Sequence, residues 1–284
     1  MTRIACQQLA PVLGDLVANR GLALSGIREA ADKGAEVVIL PELITSGYMF
    51  ESPEEAAAVA IGAGHEILGE WAAEAARADI ILAGGFCELG DDGRIYNSAA
   101  VLDATGLRAV YRKLHLWDRE KLVFTPGLTP PPVLDTRIGR LAIMICYDLE
   151  FPELTRSVAL AGAQLLLVPT NWPLVPRPAG EHPPEAMIGM AAARVNRMAI
   201  ACADRLGRER GQEWTGGTTI IGADGWVAAE SRAPGLVLAD VDLELALDKR
   251  LTEHADAFGD RRPELYCALT ATQSEPDSMS AGPR

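Results

Sequence analysis

Short apolar runs, most of them closed by glycine or proline, recur along the chain and alternate with stretches of helical spacing. Ile4 to Leu9 and Glu36 to Leu40 have the length and content of strands, and between them Asn19 to Lys33 repeats its apolar residues at helical intervals until Gly34 stops it. Pro53-Glu-Glu55 predicts the start of a long alanine-rich helix reaching about Ala78, because proline is harmless at a first helical position and early acids suit the helix dipole. Ile80 to Cys87 and Tyr96 to Asp103 read as strands joined by the hairpin signal Gly90-Asp-Asp-Gly93, and Leu107 to Leu114 continues the pattern. A loop rich in charge, glycine and proline follows from Trp117 to Pro132. Val133 then begins a strand leading to Leu141-Ala-Ile-Met-Ile-Cys146, five apolar residues that run into a thiol, and Pro152 opens a helix ending at Gly162. Gln164 to Val168 is another buried strand closed by proline, Pro184 to about Asn196 a helix, and strands are expected at Met198–Ala203, Gly217–Gly222, Trp226–Ala229 and Leu236–Val241.

Two of these segments repeat. Arg28 to Glu42 lies over Arg156 to Thr170 at an offset of 128 residues (156 minus 28), matching the arginine, a Gly-Ala pair, the apolar strand and the closing proline. Ser98 to Gly106 resembles Gly217 to Gly225 in the same order. Two ordered matches favour duplicated α/β halves. Strand–helix alternation flanked by hairpins predicts a two-sheet sandwich with helices outside, not an all-parallel doubly wound sheet. A pseudo-twofold would bring the exits of the two proline-closed strands towards one central site.

Composition bounds the rest. With 284 residues, 49% of them hydrophobic, the chain can bury a large core; residues 1–271 are expected to form one domain, and the Ser-, Pro- and Gly-rich residues 272–284 a mobile tail. A net charge of −13 without any basic run argues against nucleic acid or an anionic membrane surface as partner. The apolar runs fall far short of the ~20 residues that span a bilayer, and the N-terminus lacks a signal-peptide pattern, so the expected location is cytoplasmic. Five widely spaced cysteines without a CxxC predict reduced thiols, with neither a disulfide framework nor a zinc site.

Candidate chemistry sits at strand ends. Cys146 is either a core cysteine, the common fate of a thiol in an apolar run, or a nucleophile at a strand-to-helix turn where backbone N–H groups can hold an oxyanion. Glu42 follows a buried strand, where low-dielectric surroundings would raise its pKa, although a carboxylate at such an exit is more often a solvated loop residue. Lys113 is one of only four lysines in an arginine-rich chain and stands in strand-like sequence; it is either a compact ammonium needed there or an outward-facing strand residue. Glu120 is a second carboxylate or a surface ion-pair residue, and His115, lacking an evident partner, reads as structural. A Cys/Glu/Lys set makes chemical sense for acyl transfer from carbon–nitrogen bonds. The carboxylate takes the thiol proton and returns it to a leaving amine, while the lysine stabilises the tetrahedral oxyanion.

At Leu40-Pro-Glu42 with Gly47-Tyr48, Tyr111-Arg-Lys113 running to Glu120 and Phe124-Thr-Pro-Gly127, Ile145-Cys146-Tyr-Asp148 with Phe151-Pro-Glu153, and Val168-Pro-Thr-Asn171-Trp172, the chain resembles the nitrilase superfamily of carbon–nitrogen hydrolases, and it does so over nearly its whole length to about residue 267. The resemblance implies an α-β-β-α sandwich that dimerises or assembles further, and a Glu42, Lys113, Cys146 triad assisted by Glu120. It also implies an oxyanion site shared by Lys113 and the Tyr147 backbone N–H, a small-molecule amide as substrate, and neither metal nor organic cofactor. Tyr147-Asp148 looks more like the amidases of that superfamily than like true nitrilases. Residues 149–151 offer no Arg or His of the kind that carbamoyl-amide hydrolases use to grip a carboxylate. A nitrilase, an N-carbamoyl amide hydrolase and a non-catalytic interaction subunit are the competing readings. Val195 stands where the superfamily commonly has Glu. Tyr48, Trp117, Asn171 and Trp172, with Trp214, are candidates to line the substrate pocket.

Overall fold

In the computed structural model, which describes residues 1–271, strand β1 (Thr2–Gln8) leads into helix α1 (Leu16–Asp32), whose first turn is capped by the Asp15 carboxylate accepting from the Ala18 N–H. There follow β2 (Val37–Ile39), α2 (Pro53–Ala57), α3 (Glu66–Ala78), and the meander β3 (Ile81–Leu89), β4 (Ile95–Asp103) and β5 (Gly106–Arg112). The second half runs β6 (Val133–Thr136), β7 (Gly139–Ile143), α4 (Pro152–Leu160), β8 (Leu165–Pro169), α5 (Pro184–Asn196) and β9 (Ala199–Ala203). It continues with the short hairpin β10 (Arg208–Glu209) and β11 (Gln212–Glu213), then β12 (Thr219–Ile221), β13 (Val227–Glu230) and β14 (Gly235–Val241). Met1–Lys249 forms one compact unit; a second begins at Arg250, and its described part holds the hairpin β15 (Arg250–Thr252) and β16 (Ala255–Asp256) and two 3-10 turns. The tail expected at 272–284 lies outside the described residues.

Two six-stranded sheets carry the first unit, ordered β14-β1-β2-β3-β4-β5 and β13-β12-β9-β8-β7-β6. Taken from opposite ends they have one plan. An antiparallel edge strand (β14 or β6) flanks three parallel strands (β1-β2-β3 or β7-β8-β9), and two antiparallel strands close the sheet (β4-β5 or β12-β13). The repeat seen in the sequence is therefore a repeat of topology, except that the first sheet takes its edge strand from the far end of the chain. The central parallel strands β2 and β8 face each other across the sandwich, with α1 and α3 outside the first sheet and α5, backed by α4, outside the second. Strands covered on both faces need continuous apolar sequence, which is why Val37-Val-Ile39 and Leu165-Leu-Leu-Val-Pro169 show no alternation and are fully buried.

Two expectations change in detail. The alanine-rich stretch is not one helix: after Ala57 the chain leaves helical geometry, and Ile61 pairs with the edge of β3, its N–H donating to the Cys87 carbonyl (2.9 Å) and its carbonyl accepting from the Leu89 N–H (3.1 Å). Burial of Ile61 and its sheet bonds outweigh the helix propensity of the flanking alanines. The strand leading to Cys146 stops at Ile143, and Cys146 itself opens a 3-10 turn. Among the described residues, no helix is long and apolar enough to cross a membrane.

Candidate active site

Glu42 stands three residues past the end of β2, and the backbone there is held directly on β3. The Gly85 N–H donates to the Pro41 carbonyl (3.1 Å), and the Gly85 carbonyl accepts from the Ile44 N–H (3.2 Å). A Cβ on Gly85 would lie 2.4 Å from the Leu43 nitrogen and 2.6 Å from the Glu42 Cα, so only glycine admits this approach. Leu43 has φ +48°, a left-handed conformation that completes the turn. Gly85→Ala should displace Glu42 and cost on the order of 100-fold in kcat; a variant with wild-type kcat would show that the close approach has no catalytic consequence.

The end of β5 supplies the ammonium. Lys113 directly follows β5, and its N–H still pairs with the Asn97 carbonyl of β4 (2.9 Å). The loop comes back on its other side: the Gly127 N–H donates to the Lys113 carbonyl (2.8 Å), and a Cβ on Gly127 would meet the Arg112 carbonyl at 2.3 Å. Lys113 is completely buried. Its Nζ donates to Glu42 Oε1 (2.7 Å) and to Glu120 Oε1 (2.8 Å), so one ammonium sits between two carboxylates. The Asn97 amide donates to Glu42 Oε1 (2.7 Å), the Tyr48 hydroxyl to Glu120 Oε1 (2.5 Å) and the Trp117 N–H to Glu120 Oε2 (3.0 Å). Glu42 Oε2, also buried, has no hydrogen-bond partner. An unpartnered carboxylate oxygen in such a place is a proton acceptor in waiting.

Burial pushes the Glu42 carboxyl up to about 7, against the pull of Lys113 and with the push of Glu120. For Lys113 burial works downwards, but Glu120 and Glu42 outweigh it and hold the ammonium well above its usual range. Cys146 is 7% exposed, and burial raises its thiol well above the ordinary value, with Glu42 adding and Lys113 opposing. The thiol therefore rests protonated. It needs a base at the moment it attacks, and the lysine alone does not make it a standing thiolate. Cys146 also has φ +46°, a conformation costing a non-glycine residue about 1–3 kcal/mol, and strain of this kind gathers at functional sites.

What holds that strained turn is Asp148. Its Oδ2 accepts from the Tyr111 hydroxyl (2.8 Å) and the Ile145 N–H (3.3 Å), while Oδ1 accepts from the His115 N–H (3.0 Å) and lies 2.8 Å from His115 Nδ1. The thiol-bearing turn is thus tied to the chain that carries Lys113, and His115, which lacked a partner in the sequence, gains two, since its ring also stacks on Phe151 at 3.6 Å. Asn171, beyond β8, donates to the Glu42 carbonyl (3.0 Å) and joins the two repeats at the site. A narrow cleft of about 70 Å³ is lined by Tyr48, Met49, Trp117, Asn171, Pro173 and Trp214, among others. Trp172 is not among its lining residues: it is buried, and its N–H donates to Asp204 Oδ1 (2.9 Å). Trp117 leans edge-on against Tyr147 at 4.8 Å. Val195 is half exposed on α5, apart from the cluster.

Residues 3–250 match the family model for carbon-nitrogen hydrolases. The chain belongs to that family. Among similar proteins, a nitrilase of Pyrococcus abyssi is 34% identical over 94% of this chain and 99% of its own length. The deaminated glutathione amidase of Mus musculus is 33% identical over 86% of this chain and 78% of its own. Of the solved structures, a mutant of the amidase from Nesterenkonia sp. AN1, showing Michael addition of acrylamide at the active site cysteine, is 28% identical with a TM-score of 0.76, covering 95% of this chain and all of the other.

For a carbon-nitrogen hydrolase, several members of this site carry little mark in the one-dimensional pattern. Asn97 lies in mid-strand, where nothing in a one-dimensional pattern marks a polar residue as inward-facing. Asp204 and Arg205 do leave a signal: two charged residues directly follow the wholly apolar β9, a placement like that of Glu42 after β2. Asp204 accepts from the N–H groups of Trp172, Arg205 (both 2.9 Å) and Gly217 (2.8 Å), and so fixes the Asn171–Trp172 segment.

Proposed function

We propose that this enzyme is an amidase that hydrolyses small or medium carboxamides through a thioester on Cys146. Glu42 takes the thiol proton as sulfur attacks the amide carbon. The resulting oxyanion is held by Lys113 and the Tyr147 backbone N–H, and Glu42 gives the proton to the departing nitrogen so that ammonia leaves. The same carboxylate then takes a proton from water as the water oxygen attacks the thioester carbon, and it returns that proton to sulfur as the C–S bond breaks, releasing the acid and the thiol. Glu120 orients the lysine and bounds the substrate. The observation that carries this reading is the single ammonium bonded to two buried carboxylates, one of which keeps an oxygen unpartnered, next to a strained and protonated thiol. That combination serves a base that must act twice.

Amide chemistry is favoured over nitrile chemistry by Tyr147-Asp148 and by the likeness to a solved amidase whose cysteine reacts with an amide. The experiment is to incubate the protein with a panel of primary amides and nitriles, assay ammonia, and weigh the intact chain after a rapid acid quench. Ammonia from amides together with an acyl mass increment on Cys146 is the expected result. Ammonia from nitriles alone would make the chain a nitrilase, and turnover without any adduct on Cys146 would overturn the mechanism.

A further inference from the structure

The cleft has a wall that the mechanism does not use. Its ring is Trp214, packed edge-on against Tyr48 with centroids 5.1 Å apart, and Tyr48 in turn donates to Glu120. Behind the wall lies a buried ion pair, Arg205 Nη1 to Glu209 Oε1 at 2.8 Å, with the two side chains 1% and 5% exposed. The other oxygen of Glu209 accepts from two successive backbone N–H groups, those of Tyr48 and Met49, both at 2.9 Å. The Arg205 guanidinium lies over the Trp214 ring at 4.8 Å and donates through Nη2 to the Pro11 carbonyl (3.1 Å). The turn has been shaped to receive this carboxylate. Gly47 has φ +79°, and a Cβ there would stand 2.8 Å from Glu209 Oε1 and 2.6 Å from the Leu13 Cα.

A buried ion pair is a poor source of net stability, because desolvation offsets most of its attraction. Geometry is what this one supplies. A carboxylate can receive two adjacent backbone N–H groups and a guanidinium together, and a planar guanidinium can pair and stack together. We infer that the Arg205–Glu209 pair is the positioning element of the acyl pocket, holding the Tyr48–Trp214 wall and so setting how long an acyl chain can reach Cys146. The inference rests on the amidase reading for its substrate, but the wall can be probed without turnover.

The variants are Glu209→Gln, which keeps shape and loses charge, Arg205→Lys, which keeps charge and loses the fork, and Trp214→Phe, which trims the wall and leaves the pair intact. Each is assayed for kcat and KM on acetamide, butanamide and hexanamide, and for the rate of Cys146 labelling by acrylamide and by 2-hexenamide. In all three, the preference for long over short chains, expressed as a ratio of kcat/KM, should rise about tenfold, mainly through KM, and the labelling ratio should move the same way. The acid limb of the pH profile should stay where it is, since Glu42 is untouched. Equal losses on every chain length with an unchanged labelling ratio would show a merely structural pair and overturn the inference. If Glu209→Gln fails to fold, Arg205→Lys and Trp214→Phe decide it. If the wild type releases no ammonia from any amide, the amidase reading fails, and the labelling ratio alone still decides the role of the pair.

Discussion

Glu42→Gln should lower kcat/KM by about 10²–10⁴-fold, the usual contribution of a positioned general base, and should erase the acid limb of the pH profile. In the wild type that limb should lie near pH 7, where burial has pushed the carboxyl, because below it the base already carries a proton and cannot take one from sulfur. On the alkaline side activity should persist past the usual lysine range, since the carboxylates hold Lys113 protonated. The same substitution should act oppositely on stability. Glu42 titrates near 4.3 in the unfolded chain and near 7 in the fold. The folded state therefore binds the extra proton between these values, and the cost of burying the ionised form is absent below the lower one and complete above the higher. The thermal midpoint of Glu42→Gln should exceed that of wild type at pH 8 and approach it at pH 5. A variant that keeps wild-type turnover, or one less stable at pH 8 than at pH 5 relative to wild type, would contradict the assignment.

Lys113→Met carries the second large effect. Removing the ammonium leaves Glu42 and Glu120 facing each other in a site without water-exposed surface, and breaking a buried pair in this way typically costs about 3–5 kcal/mol. The sign of its pH dependence follows from Glu42: at pH 8 its buried carboxylate is ionised beside Glu120 with no ammonium between them, whereas near pH 5 protonation of Glu42 relieves the repulsion. Urea unfolding should show the greater loss at pH 8. Turnover should fall by about 10²–10³-fold with the oxyanion donor, even at pH 5 where the fold is better preserved. Wild-type stability at pH 8 would mean that the two carboxylates do not share the ammonium.

How much of this was legible beforehand depended on the kind of signal. Residues at the exits of apolar strands were visible because the pattern ends abruptly there, as at Glu42 and Cys146, whereas Lys113 stood out as a rare lysine within strand-like sequence. The repeat predicted only that the exits of the two proline-closed strands meet, and the paired sheet orders display that repeat; the grouping of Lys113 and Cys146 with Glu42 came from their chemistry and the family resemblance. Side chains whose importance lies in the third dimension left no such trace. Asn97 is one polar residue in a strand, and Asp148 read as a mark of substrate class when its four contacts make it the tie between the thiol turn and the lysine strand. The alanine-rich segment misled for a related reason: local propensity favours a single helix, but Ile61 gains more from the β3 edge than the helix offers. Trp172 looked like a pocket aromatic by adjacency to Asn171, yet strand-exit neighbours point opposite ways, and the cleft takes Trp214 from a distant hairpin instead.

The loan of β14 to the first sheet has a bearing on how the chain reaches its fold. Thr2 pairs with Val241, so the outer edge of β1 stays open until almost the whole first unit has been synthesised. The later half needs no such loan, since β6 through β13 are contiguous in sequence and complete their own sheet. On a ribosome the half made second can therefore seal its edge at once, while the half made first waits with a bare strand, and that waiting strand is where nascent chains are most open to pairing with one another.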